Sequence, residues 1–96
     1  MKIIIDENKV NEEDKYSLTE IYSKLDKLFT EKGILARDEE GYYKGSNNKN
    51  DFANFGIIMW GLKDCDWFTK NVEEWKWYVD GEIEDLIIHY KLKEVA

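Results

Sequence analysis

Apolar residues at Leu18, Ile21, Tyr22, Leu25, Leu28 and Phe29 recur at intervals of three and four. That spacing puts them on one face of a helix, with Glu20, Ser23, Lys24, Lys27 and Glu31 turned to water. Ser17 and Glu20 have capping-box spacing, in which hydroxyl and carboxylate satisfy each other's backbone donors, so the helix starts there. Gly33 supplies its C-terminal stop.

Upstream, Lys2–Ile5 reads as a short central strand, followed by a turn over Asp6–Val10 and a polar run from Asn11 to Lys15. Downstream, Ile34–Arg37 and Tyr42–Lys44 flank the acidic turn Asp38–Gly41, which is either a short hairpin or one ordered loop. The polar loop Ser46–Asn50, with Asp51, is suited to cap a second helix over Asp51–Leu62. Phe52, Phe55, Met59 and Leu62 mark its buried side. The run Ile57–Trp60 is apolar almost all round, which predicts a helix sandwiched between other elements.

A helical turn is expected over Trp67–Val72, and the alternation from Glu74 to Val79 is that of a strand. Asp80-Gly81 suits a hairpin turn leading to a third strand, on which Ile88, Tyr90 and Leu92 alternate with His89, Lys91 and Lys93. The same segment also suits a helix. Ile83, Leu86, Ile87 and Tyr90 have helical spacing, and Glu82, Glu84 and Asp85 precede Lys91 and Lys93 in the order a helix dipole favours. The predicted class is α+β: a single domain over 1–96, with a short, mostly parallel or mixed sheet packed on two to three helices.

Composition narrows the function. Hydrophobic residues make up 43% of the 96 positions, enough to build one core at this size. One cysteine, no charged-then-apolar leader and no long apolar run point to a domain of the reducing cytoplasm without a membrane span. Twenty-one Asp and Glu against fourteen Lys and Arg give a net charge of −7, and the cations are interspersed with acids. Direct nucleic-acid binding, which gains affinity by placing cations on phosphates, is disfavoured. An acidic surface is instead steered toward basic partners, although the same charge also serves solubility.

Few residues carry chemistry. A nucleophile pair would require Cys65 with His89, which lack any local signature. Zinc-type spacing and a phosphate-cradling glycine loop are both missing, and no cofactor is implied. Asp64, Asp66, Glu73 and Glu74 offer hard oxygen ligands, but their spacing matches no calcium loop. Paired carboxylates acting across a substrate cleft need more room than this chain affords.

An acidic and aromatic interaction surface remains. Its candidate partner-binding residues are Asp38, Glu39, Glu40, Tyr42, Tyr43, Asp51, Asp64, Asp66, Glu73 and Glu74, in or near the loops around the second helix. Solvated acids and core tyrosines are the plainer reading of the same residues.

The order of an apolar strand ending in Asp-Glu-Asn-Lys-Val, a Ser-Leu-started helix, Tyr42-Tyr43-Lys44-Gly45, an Asn-rich loop, and Asp51-Phe52-Ala53 opening a helix with Trp60 resembles barstar-type ribonuclease inhibitors over roughly 2–62. The resemblance implies an α/β fold with a parallel sheet, an aromatic contact at Tyr42 or Tyr43, and Asp51 entering a nuclease site. This chain departs from the pattern in a longer loop, in having Asn54 or Gly56 where the second helix acid falls, and in lacking an unambiguous final strand.

The expectation is a non-enzymatic inhibitor or immunity-type protein, monomeric when free. Its partner would be a basic nuclease or other nucleic-acid enzyme, and an antitoxin and an anti-CRISPR or other anti-defence protein share this physics. Two alternatives stand beside it. One is a scaffold that self-associates through Trp67, Trp75 or Trp77, and the other is a small metal-binding protein or enzyme working through carboxylates.

Overall fold

The computed structural model describes residues 1–13 and 15–92. Three strands, β1 (Lys2–Ile5), β2 (Val72–Val79) and β3 (Glu82–Asp85), form a sheet in the order β1-β2-β3. Both pairings are antiparallel, with Ile3 opposite Trp75 and Tyr78 opposite Ile83. The expected parallel or mixed sheet is therefore corrected.

Two local facts account for it. Asp80 and Gly81 both take positive φ, 50° and 78°, the geometry of a two-residue hairpin turn. The stretch between β1 and β2 carries four helices, all with residues in the core, and is not the single-helix crossover usual between parallel neighbours. The central strand is β2, not β1. On β1's outer edge the chain returns as a single bridge at Tyr42, where the Ile3 amide donates to the Gly41 carbonyl at 2.9 Å and the Tyr43 amide to the Met1 carbonyl at 2.7 Å.

Between them lies the segment left open as hairpin or loop. It is an ordered loop closed like a hairpin, with the amides of Leu35 and Asp38 donating to the carbonyls of Lys44 and Tyr42. Gly41 makes its close approach possible. Its φ is 96°, and an added Cβ would lie 3.0 Å from the Ile3 carbonyl oxygen.

After β1 the expected turn and polar run are instead helix α1 (Glu7–Glu13), begun where the Asp6 carboxylate accepts from the Lys9 amide. Val10 is its one buried residue, too sparse a signal to reveal a helical period. The next helix, α2 (Leu18–Thr30), follows the sequence reading: Ser17 accepts from the Glu20 amide, and Ile21, Leu25 and Phe29 are buried. Leu28 is pushed to the rim.

Helix α3 (Asp51–Leu62) has the predicted bounds but not the predicted surroundings. Its core side is Phe55, Ile58 and Leu62, while Phe52, Ile57 and Trp60 are 64%, 56% and 66% exposed. It lies on the surface and is not sandwiched. A short helix α4 (Asp66–Thr69) leads into β2.

After β3 a single turn, α5 (Leu86–His89), is capped by Asp85, which accepts from the amides of Ile87 and Ile88. Both C-terminal readings are thus partly realised: the hairpin forms with its third strand at 82–85, and the predicted strand at 88–92 does not form. Lys93, assigned to that strand, lies outside the described residues.

Ile3, Ile5, Leu25, Phe29, Phe68, Val72, Trp75 and Leu86 join the core. Trp75, expected as an exposed self-association residue, is fully buried, and Trp67 and Trp77 are half-buried. The exposed tryptophan is Trp60. Among the described residues no helix is long and apolar enough to cross a membrane.

Candidate partner-binding cleft

Pairing of β1 with β2 ends at Lys2 opposite Lys76, so among the described residues Trp77–Val79 have no strand neighbour on that side. An open cleft of about 690 Å³ occupies the gap, bounded by this end of β2, the loop from Tyr42 to Asn47 and the start of α3.

Its walls are aromatic. Phe52 stacks on Trp77 with ring centroids 5.2 Å apart, Phe55 reaches the same indole at 6.4 Å, and Tyr42 lies against Tyr78 at 5.7 Å. The residues fall here for local reasons. Tyr42 is held by the bridge to Lys2, and Trp77 and Tyr78 project to opposite faces of β2 at the end that β1 leaves uncovered.

The polar residues of the cleft are Lys44, Asn47, Asp51 and Asp80. One oxygen of Asp51 accepts from the Asn48 amide at 3.1 Å, which fixes the loop ahead of α3. Its other oxygen is buried and has no hydrogen-bond partner among the described residues. Lys44 is drawn away toward Asp38, its Nζ 3.5 Å from a carboxylate oxygen, which leaves the acids to dominate the rim.

The candidate residues from the sequence divide between this cleft and elsewhere. Tyr42 and Asp51 come together in it. Tyr43 borders it but is fully buried, its ring stacked on Phe29 at 3.8 Å and its hydroxyl donating to Asp26 at 2.6 Å. Burial above all, then the Asp26 carboxylate, pushes its phenol far above the usual tyrosine range. The reading of Tyr43 as a partner contact is corrected, because the bridge that turns Tyr42 outward sends its neighbour inward.

Asp38 organises its own turn by accepting from the amides of Glu40 and Tyr42. These bonds, the Tyr42 one foremost, hold its carboxyl below the usual range. Glu39 and Glu40 stand exposed on that turn. Asp64 and Asp66 pair with Lys63 and Lys70 beyond the far end of α3, about 18 Å along the helix from Asp51. Glu73 is exposed beside Asp6 and Glu7. The ten residues do not converge on one site. Among the described residues no group of three or more His, Cys, Asp or Glu could hold a metal ion.

Glu74 belongs to the sheet's uncovered face, where it bridges Lys2 and Lys76 at 3.2 Å each. The Lys2 bond, followed by that of Lys76, holds its carboxyl below the usual range. A carboxylate with a lowered folded-state value stabilises the fold above its unfolded value of 4.5 and loses that contribution as pH falls through the folded one. Urea midpoints measured from pH 6 down to pH 3 should fall less steeply for Glu74→Gln than for the parent chain. Parallel curves would exclude this role for Glu74.

The sequence reading does not name Lys44, Asn47, Phe52, Phe55, Trp77, Tyr78 or Asp80 of this cleft as partner contacts. Phe52 shares helical spacing with Phe55, a pattern that reads as core. Trp77 and Tyr78 belong to a clear strand alternation, but which end of that strand stays uncovered depends on β1 register, which no local pattern reports. Comparison with protein-family models, curated proteins and solved structures returned no match.

Proposed function

We propose that this chain is a non-enzymatic inhibitor or immunity-type protein that captures a cationic segment of a basic protein, a nuclease or other nucleic-acid enzyme, in the aromatic cleft. The observation that carries the reading is the joining of Phe52, Trp77, Tyr42 and Tyr78 in one open cleft whose rim holds Asp51 and Asp80. A guanidinium or ammonium group gains from an indole or phenol face and from nearby carboxylates together, a combination that tyrosine, tryptophan and acids provide at interfaces. The net charge of −7 steers basic partners inward and speeds encounter.

Placement of the chemically active residues supports the non-enzymatic part. His89 pairs with Glu84 at 3.1 Å, Cys65 sits against the Gly61 carbonyl, and neither lines the cleft. The barstar-type resemblance agrees with the inhibitor class through Tyr42 and Asp51 alone, since this sheet is antiparallel.

The test is a pull-down with the full tagged chain and with a Phe52→Ala, Tyr42→Ala, Glu40→Lys variant, eluted by salt and read by mass spectrometry. Phe52 and Glu40 are exposed and Tyr42 half-buried, so the triple variant should stay folded by circular dichroism. A basic nucleic-acid enzyme held by the parent and released at markedly lower salt from the variant is the expected result. Equal retention by both would refute the cleft as the binding surface.

A further inference from the structure

The end of β2 that borders the cleft has an unused hydrogen-bonding edge, and the register shows which groups it offers. Val79 and Glu82 flank the two-residue turn at Asp80 and Gly81, so their amides and carbonyls bond each other. Alternation along an antiparallel strand then turns the amide and carbonyl of Tyr78 away from β3, toward the side where β1 lies. Met1, next in register after Lys2, is turned the other way. Its carbonyl accepts from the Tyr43 amide at 2.7 Å, and its amine donates to the Tyr43 carbonyl at 2.8 Å. Among the described residues the Tyr78 backbone therefore meets no strand on this side, and it faces the cleft.

We propose, resting on the proposed function, that the partner's cationic segment binds here in extended form and adds to β2 as a strand in line with β1. Backbone and side chains select the same occupant. A lone inserted side chain would leave the Tyr78 amide and carbonyl unpaired. An extended chain satisfies both, and it sends its own side chains alternately to the two faces of the sheet. Each face already holds an aromatic pair to receive them: Trp77 with Phe52 on the core side, and Tyr78 with Tyr42 on the outer side.

Charge sets the pattern of that segment. Asp51, beside Phe52 at the start of α3, and Asp80 line the cleft, while its lysine, Lys44, is drawn to Asp38. A cation on the Trp77 and Phe52 rings is therefore favoured. On the outer side Lys2 already lies over the Tyr42 ring, its Nζ 5.6 Å from the centroid, and Lys76, its cross-strand partner, shares that face. An apolar side chain is favoured there, so the segment is one in which arginine or lysine alternates with apolar residues. Trp77–Val79 run about 10 Å, room for roughly three residues of added strand. So short a strand should bind weakly by itself, with a Kd of about 0.1–1 mM.

The probe is the blocked pentapeptide Val-Arg-Val-Arg-Val, titrated into the isotope-labelled full chain and followed by nuclear magnetic resonance. Saturation should shift the Trp77 indole and Tyr78 amide signals and slow solvent exchange of the Tyr78 amide severalfold. The same peptide with glutamate in place of arginine should bind roughly tenfold more weakly. N-methylation at alternate residues keeps the side chains and removes one edge of donors, and at least one of the two such forms should lose affinity roughly tenfold. Binding that leaves Tyr78 exchange unchanged, or that is indifferent to both methylated forms, would reduce the cleft to a side-chain pocket and overturn strand addition. Protection of the Ile83 amide instead, which faces out from β3, would put the strand on the other edge and overturn it too, as would no binding at about 5 mM peptide. None of these results bears on salt-released capture of a basic enzyme by the full chain, so strand addition can fail while the proposed function stands. Loss of that capture with peptide addition intact would instead leave β2 a strand acceptor for a different cationic partner.

Discussion

Trp75→Ala is expected to remove about 3–5 kcal/mol of stability, a large fraction of what a domain of this size has to spare. The indole has no exposed surface. It meets the Phe68 ring edge-on at 4.9 Å, stacks on Tyr90 at 5.6 Å and donates its Nε1 proton to the Met1 sulfur at 3.2 Å. It also stands opposite Ile3 in the sheet register, so one ring joins β1, β2, α4 and the end of α5. Truncation leaves a cavity at that junction, which strands already fixed by backbone pairing cannot close. Urea unfolding followed by far-ultraviolet circular dichroism gives the number. A loss under about 1 kcal/mol would mean that the junction relaxes around the gap.

Tyr43→Ala should cost a comparable amount, roughly 3–5 kcal/mol, because it removes the ring stacked on Phe29. The informative partner variant is Tyr43→Phe, which keeps the stack and deletes the proton given to Asp26. It leaves a half-buried carboxylate oxygen without its donor, at about 1–3 kcal/mol.

The two variants also differ in pH dependence. A phenol whose folded-state value is raised contributes stability that is complete below its unfolded value of 10.0 and is lost as pH rises beyond it, since only the unfolded chain then ionises freely. Stability of the parent chain should therefore fall between pH 9 and pH 11, and Tyr43→Phe should flatten that fall. An unchanged slope would show that Tyr43 ionises as readily folded as unfolded, contrary to its burial.

Burial at Tyr43 also explains where the sequence reading of the site went astray. Tyr42 and Tyr43 are adjacent and chemically identical, and either suits an interface. The backbone bridge to β1 orients one outward and the other inward, a distinction of extended geometry that residue type does not encode. The acids behave similarly. Proximity to loops suggested one surface for Asp38 through Glu74, but the length of α3 separates Asp64 and Asp66 from Asp51, and lysines neutralise several of them.

What the sequence determined by itself was everything carried by short-range periodicity and capping. That includes α2 with its Ser17 cap and Gly33 stop, the bounds of α3, the strand character of β2 and the net charge of −7. These features depend on residues a few positions apart, so local physics specifies them. Tertiary structure alone decided the antiparallel sheet, the central place of β2, the helical state of residues 7–13, the inward turn of Tyr43 and the bare outer face of α3. Each of these depends on which distant segment covers which face, and a hydrophobic pattern records that a face is apolar without recording what, if anything, packs against it.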